Sequence, residues 1–106
     1  DGRMMQGDQY RIPIELKDAG GTFVTQEEVK DMEVFVGKTR KMLSKGEVEF
    51  EPLENVFYVS LTQKETFMMS GSVSVQARLL FLSGDVVGID LGKLNFAQAT
   101  SRVVLK

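Results

Sequence analysis

The chain of 106 residues contains no cysteine, no histidine and no tryptophan. Without cysteine there is no disulfide framework and no thiolate zinc site. Without histidine or cysteine, the side chains that most often act as general bases and nucleophiles are missing. The lack of tryptophan removes a strong stacking platform for sugars. The sequence therefore predicts a binding or structural protein rather than an enzyme, with no catalytic residues, no cofactor and no metal site.

A surplus of basic charge and a long hydrophobic run are also missing. The net charge is −2, whereas proteins that neutralise several phosphates normally carry an excess of lysine and arginine. The longest apolar stretch, 77–82, is interrupted by Arg78 and is far shorter than the roughly 20 residues of a membrane-spanning helix. No nucleic acid and no membrane is expected as a partner, and neither a signal peptide nor a transmembrane segment is seen.

The N-terminal residues show no periodic pattern. Residues 1–8 are predicted to be a disordered segment, in which residues 1–3 could be a cloning remnant ahead of Met4. The remaining residues, 9–106, alternate apolar and polar side chains over most of their length. A chain of this size buries roughly 60–65% of its unfolded surface, which suffices for one core. We predict a single β-sandwich domain over residues 9–106.

Alternation of apolar and polar residues predicts most of the strands. Residues 10–17 show period two, and Pro13 places that strand at a sheet edge, or turns its N–H side outward, because proline cannot donate a ladder hydrogen bond. Residues 73–81 give the longest apolar row and predict a central strand. After the turn at 83–85 the apolar phase changes at Gly92, which is typical of a β-bulge or a strand break. Further short strands are predicted at 22–25, 32–36 and 56–61.

Two capping signatures and one charge pattern indicate how the strands connect. Thr25 and Thr62 each precede a glutamate by three residues, so each should begin a single capped helical turn between sheets. Four basic residues before Gly46 are followed by four acidic ones. A three-residue loop at 44–46 would form a hairpin that pairs Lys41 with Glu49.

Together these patterns predict an all-β fold, an immunoglobulin-like two-sheet sandwich of about seven strands with one or two short helical turns. A small barrel is the alternative. Met68 and Met69 could form a deformable contact surface for another protein, although packing of both side chains into the core after the capped turn is the simpler explanation. The C-terminal residues 102–106 could add a last strand or pair with a neighbouring chain. The candidate protein-interaction residues are Pro13, Met68, Met69, Val103, Val104 and Leu105.

Several segments resemble a family of phage and prophage β-sandwich proteins. They are 10–18, the glycine turn at 20–21, 32–37, and 71–81 followed by the turn at 83–85. In the order of these segments, the chain is similar to the N-terminal immunoglobulin-like domain of phage upper-baseplate proteins. Those proteins continue into a connector and a further module, whereas this sequence ends at Lys106, so an accessory or decoration protein is also expected as an alternative.

The resemblance implies attachment or assembly in a tail, baseplate or decoration layer. The expected partners are other virion proteins or a second copy of the chain, and the expected location is the virion, after synthesis in the bacterial cytoplasm. A module that binds carbohydrate or another cell-surface ligand is the alternative function.

Overall fold

The computed structural model describes residues 3–97, which form two β-sheets around a shared apolar core. The larger sheet has the strand order β1-β8-β7-β3-β4, and the smaller has the order β2-β6-β5. The all-β, two-sheet prediction is confirmed. The strands are β1 (Arg3–Met5), β2 (Tyr10–Ile14), β3 (Val29–Val36), β4 (Thr39–Met42), β5 (Val48–Glu51), β6 (Val56–Leu61), β7 (Gly71–Phe81) and β8 (Val86–Ala97).

The short helical pieces lie where the chain leaves one sheet for the other. A 3-10 turn at Gln26–Glu28 precedes β3, another at Leu43–Lys45 links β4 to β5, and the helix α1 (Gln63–Phe67) links β6 to β7. The capping box at Thr62 is present, with Glu65 as its reciprocal partner. Thr25 makes no side-chain cap, so the capping-box prediction there is wrong although one helical turn follows. No helix among residues 3–97 is long and apolar enough to cross a membrane.

The core is built from alternate residues on the facing sides of the two sheets. Val34 and Val36 of β3 and Leu79 of β7 are fully buried, as are Phe57 and Val59 of the smaller sheet. Side chains between them point outward, because successive residues of a strand face opposite sides. The period-two pattern of the sequence therefore identified the inward face correctly in β3 and β7.

The bulge predicted at Gly92 is present and reshapes β8. The register between β7 and β8 shifts between Val75 and Gln76, where Val75 pairs with Gly92 and Gln76 with Asp90. Gly92 has a φ of 95°, a left-handed value that side-chain-bearing residues rarely adopt. β7 is the third strand of five, as its long apolar row predicted.

The N-terminal segment departs from the prediction, since residues 3–8 are part of the fold rather than disordered. β1 runs parallel to the end of β8, with Met5 paired to Ala97. The buried Gln6 donates its side-chain amide to the Met69 carbonyl at 2.6 Å, and Gly7 N–H donates to Thr66 Oγ1 at 2.8 Å. The partners are about 60 residues away in sequence, which is why local pattern did not reveal them.

The charged hairpin predicted at 38–54 is wrong. β4 pairs with β3 and β5 pairs with β6, so Lys41 and Glu49 belong to different sheets. Lys41 instead points inward and its Nζ lies 2.8 Å from Glu65, while Arg40 pairs with Glu33 at 2.6 Å. The strand predicted at 22–25 is reduced to an isolated bridge between Lys17 and Phe23.

Candidate protein-interaction site

Pro13 lies where the sequence placed it, on an edge strand. β2 is the outer strand of the smaller sheet and pairs on one side only, with Pro13 opposite Tyr58. The Pro13 side chain is exposed. Because proline has no N–H, this edge offers an incoming strand one donor fewer.

The two methionines have different environments. The Met68 side chain is 83% exposed, directly after α1, whereas Met69 is 5% exposed and belongs to the core. The Met69 carbonyl also accepts the hydrogen bond from Gln6. The structure therefore keeps Met68 as a surface candidate and assigns Met69 to packing. Val103, Val104 and Leu105 lie outside the described residues.

A more extensive candidate surface lies on the outward side of the larger sheet. A shallow depression of about 310 Å³ is lined by residues of β3, β7 and β8, including Phe35, Gln76, Arg78, Gly88 and Asp90. A second depression of about 240 Å³ continues toward the β7–β8 turn and shares Arg78 with the first. We call the two together the outer groove. Gly88 contributes to its depth, because no atom lies within 4 Å of the place where a Cβ would stand.

Charge along the outer groove is only partly compensated. Glu33 is paired with Arg40, and Asp90 Oδ1 accepts the Gly92 N–H at 2.9 Å. Arg78 has no ion-pair or hydrogen-bond partner for its side chain within residues 3–97. Its guanidinium therefore remains available to a carboxylate brought by another molecule.

Asp31 lies at the end of the outer groove and serves a structural purpose. Burial opposes its ionisation, but hydrogen bonds from the Ser44 and Met32 N–H groups and from the Ser44 hydroxyl outweigh that effect. The pKa of Asp31 is consequently below its ordinary value. This carboxylate holds the turn after β4 against β3.

The end of the β7–β8 hairpin exposes apolar side chains on both of its faces. Leu82, Val86 and Val87 are 66%, 60% and 43% exposed. Sequence reasoning missed this surface because the alternation of Val87, Ile89 and Leu91 predicts a single inward apolar row. The available signal was the loss of polar alternation: 79–82 are four consecutive apolar residues, and two valines follow the turn.

The two tyrosines are occupied by neighbours within the chain. The Arg11 guanidinium lies 3.8 Å from the centre of the Tyr58 ring, and the Tyr58 hydroxyl donates to Glu54. The Tyr10 hydroxyl accepts from Met5 N–H and donates to Asp8. A sugar stacking on Tyr58 from the side of Arg11 would have to displace that cation, so the aromatic surface gives carbohydrate binding little support.

Among the described residues, no group of three or more acidic residues could hold a metal ion. Comparison with known proteins finds no matching family model, no matching curated protein and no matching solved structure.

Proposed function

We propose that this chain is a non-catalytic module of a phage or prophage particle, in its tail, baseplate or decoration layer, and that it acts through contacts with other proteins. The exposed apolar end of the β7–β8 hairpin carries the proposal. Three large apolar side chains, Leu82, Val86 and Val87, are close in sequence at one end of the molecule. Exposed apolar side chains grouped at one end of a molecule are typical of a protein contact site.

The proposal extends to the fold. Four sheet-to-sheet connections, between β1 and β2, β2 and β3, β4 and β5, and β6 and β7, agree with an immunoglobulin-like sandwich. The assignment to a phage particle rests on the resemblance of 10–18, 32–37 and 71–85 to upper-baseplate proteins. The sheet connections and the resemblance are both independent of the hairpin surface, so either can prove wrong without affecting the other.

Purified particles test this function directly. Particles from an induced lysogen that encodes the chain should contain it after gradient sedimentation, at a fixed ratio to a tail protein as measured by quantitative mass spectrometry. The chain should remain bound after washing in high salt, because apolar contacts are not screened. Its recovery only in the soluble fraction would contradict the proposal. Saturable binding on a glycan array, combined with that result, would favour a carbohydrate-binding module instead.

Two matched variants test whether incorporation into particles depends on the exposed end of the β7–β8 hairpin. Val86→Asp places a charge on the exposed end of the hairpin and should reduce incorporation into particles. Glu27→Lys, an exposed change on the 3-10 turn before β3, should leave incorporation unchanged. Both variants should retain the circular dichroism spectrum of the parent chain, since both positions are exposed.

A further inference from the structure

The exposed edges of the two sheets differ in how well they would accept another strand. The edge of β2 contains Pro13, which lacks a donor. β4 and β5 are four residues each, and β5 carries two acidic residues, Glu49 and Glu51. Short strands, proline and charge are the usual features that prevent edge pairing.

β8 lacks these protective features over much of its length. β1 covers β8 only at Asn95–Ala97, and no other described strand pairs with that side of β8. The segment from Val86 to Asp90 lies before the bulge at Gly92, contains no proline, and carries its one charge at its last residue, Asp90, whose Oδ1 accepts the Gly92 N–H. Its edge-facing backbone N–H and C=O groups can therefore pair with an incoming extended segment.

The inward side of this segment is incompletely covered. Val87 is 43% exposed and Ile89 is partly exposed, although both lie on the same side of the sheet as the core residues Ala77 and Leu79, with which they pair. The smaller sheet reaches β8 at Phe96, whose ring contacts Tyr10 of β2, but it leaves Val87 and Ile89 partly uncovered. An added strand would bury apolar side chains beside Val87 and Ile89 and thereby extend the core.

The outward face of the sheet beside this segment determines which charge an added strand should carry. Gly88 pairs with Arg78 on β7 and carries no side chain, so the space between Arg78 and the open edge is empty. Neighbouring strands lie about 4.8 Å apart, so a residue opposite Gly88 stands two spacings, about 9.6 Å, from Arg78, a gap that the long Arg78 side chain and an acidic side chain can span together. Arg78 has no carboxylate partner among residues 3–97. An acidic residue at that position would provide one.

We propose that the edge of β8 from Val86 to Asp90 binds an extended segment of a partner polypeptide, in which an acidic side chain opposite Gly88 is flanked by two apolar ones. The proposal rests on the proposed function and specifies the chemistry of the partner. A second copy of β8 fits less well. Antiparallel pairing centred on Gly88 would bring two Gly88 residues together and direct the two Arg78 side chains toward each other.

A designed peptide tests the edge with the full chain. The probe is a capped seven-residue peptide of alternating valine and threonine, with glutamate in place of the central threonine. The chain labelled with ¹⁵N is titrated with this peptide, and backbone shifts and amide exchange are followed. We expect saturable shifts centred on Val86–Asp90, with slower exchange at the amides that acquire partners.

Two controls separate the backbone and charge contributions. The same peptide with alternate N-methyl groups on its pairing edge should not bind, because it cannot complete the ladder. Replacing its glutamate by glutamine should weaken binding about two- to fivefold, the range of an exposed ion pair. Arg78→Gln should abolish that difference, whereas Lys64→Gln on α1 should preserve it.

Absence of saturable binding at about 1 mM peptide, or binding mapped to another surface, would overturn the proposal. Equal binding of the glutamate and glutamine peptides at β8 would overturn the acidic preference and with it the stated partner chemistry. If the chain sediments with particles but the peptide fails, the docking proposal falls and the proposed function stands. If the peptide binds at β8 but no particle contains the chain, the proposed function falls and the docking proposal stands.

Discussion

At the scale of single residues, the least expected feature is the pair formed by Lys41 and Glu65. The Lys41 side chain is buried and its only ion-pair or hydrogen-bond partner among the described residues is Glu65, 2.8 Å away. Glu65 also accepts the Thr62 N–H and remains about a quarter exposed. Burial raises the pKa of Glu65, but the hydrogen bonds from Lys41 and Thr62 outweigh it, so the pKa is below its ordinary value.

Removing Glu65 should cost more than removing Lys41. Glu65→Gln leaves a buried ammonium without its counter-charge, and we expect a loss of about 1–3 kcal/mol in the free energy of unfolding at pH 7. Lys41→Met should cost less, since Glu65 keeps the Thr62 N–H and access to water. Urea denaturation measures both. Equal costs, or a larger cost for Lys41→Met, would contradict this asymmetry.

The same pair has a defined pH signature. A carboxylate with a lowered folded pKa contributes stability above its unfolded pKa, near 4.3, and loses that contribution as the pH falls through the folded value. The stability difference between the parent chain and Glu65→Gln should therefore shrink as the pH is lowered below about 4.3.

At the scale of elements, the connection from β4 to β5 determines where the charged middle of the chain lies. The 3-10 turn at Leu43–Lys45 takes the chain from the larger sheet to the smaller one. Asp31 holds this turn through two hydrogen bonds to Ser44, each 3.0 Å. The crossover is thus fixed by a residue 13 positions away, on the neighbouring strand β3.

Asp31→Ala should weaken this connection and destabilise the fold by about 1–3 kcal/mol, the usual range for hydrogen bonds to a charged group. Ser44→Ala removes only the hydroxyl bond and should cost less, because the Ser44 N–H still reaches Asp31. Glu27→Ala serves as the control, because Glu27 is exposed and its side chain makes no ion pair or hydrogen bond within residues 3–97. If thermal unfolding shows Asp31→Ala and Glu27→Ala to be equally stable, the crossover does not depend on Asp31.

How far the sequence predicted these elements depends on the distance between interacting residues. Strand alternation, the bulge at Gly92 and the box at Thr62 involve residues close in the chain, and the structure has all three. The hairpin prediction used charge matching between adjacent segments, which cannot tell two strands of one sheet from two strands of opposite sheets. The hydrogen bond from Gln6 to Met69 joins residues 63 positions apart, and no local sequence pattern indicates it.

At the scale of the whole molecule, the edges together predict the state of association. Edge pairing with a second copy is disfavoured by Pro13 in β2, by the acidic residues of β5 and by the short length of β4. The β8 strands of two copies would also pair poorly, because their Arg78 side chains would face each other across Gly88. Light scattering over a concentration series should accordingly give the monomer mass of 11.8 kDa. A discrete oligomer would contradict the separate partner inferred for β8 and would direct attention to self-assembly.

The candidate site shows the same limit of sequence reasoning at a larger scale. The edge position of Pro13 followed from its chemistry, and Met68 is exposed as a contact residue must be. The outer groove and the open edge of β8 depend on which strands neighbour each other and on the smaller sheet having only three strands. These are properties of topology, and no single segment of the sequence contains them.

The parallel pairing of β1 with β8 brings the first and last described strands side by side. Arg3 lies opposite Asn95, so the first and last residues of the described range, Arg3 and Ala97, are about two residues apart along the strand direction. The β7–β8 turn lies at the other end of β8, some 11 residues or about 36 Å away. A linker joined at Arg3 or at Ala97 would therefore hold the molecule at one end of β8 and leave the β7–β8 turn at the opposite end.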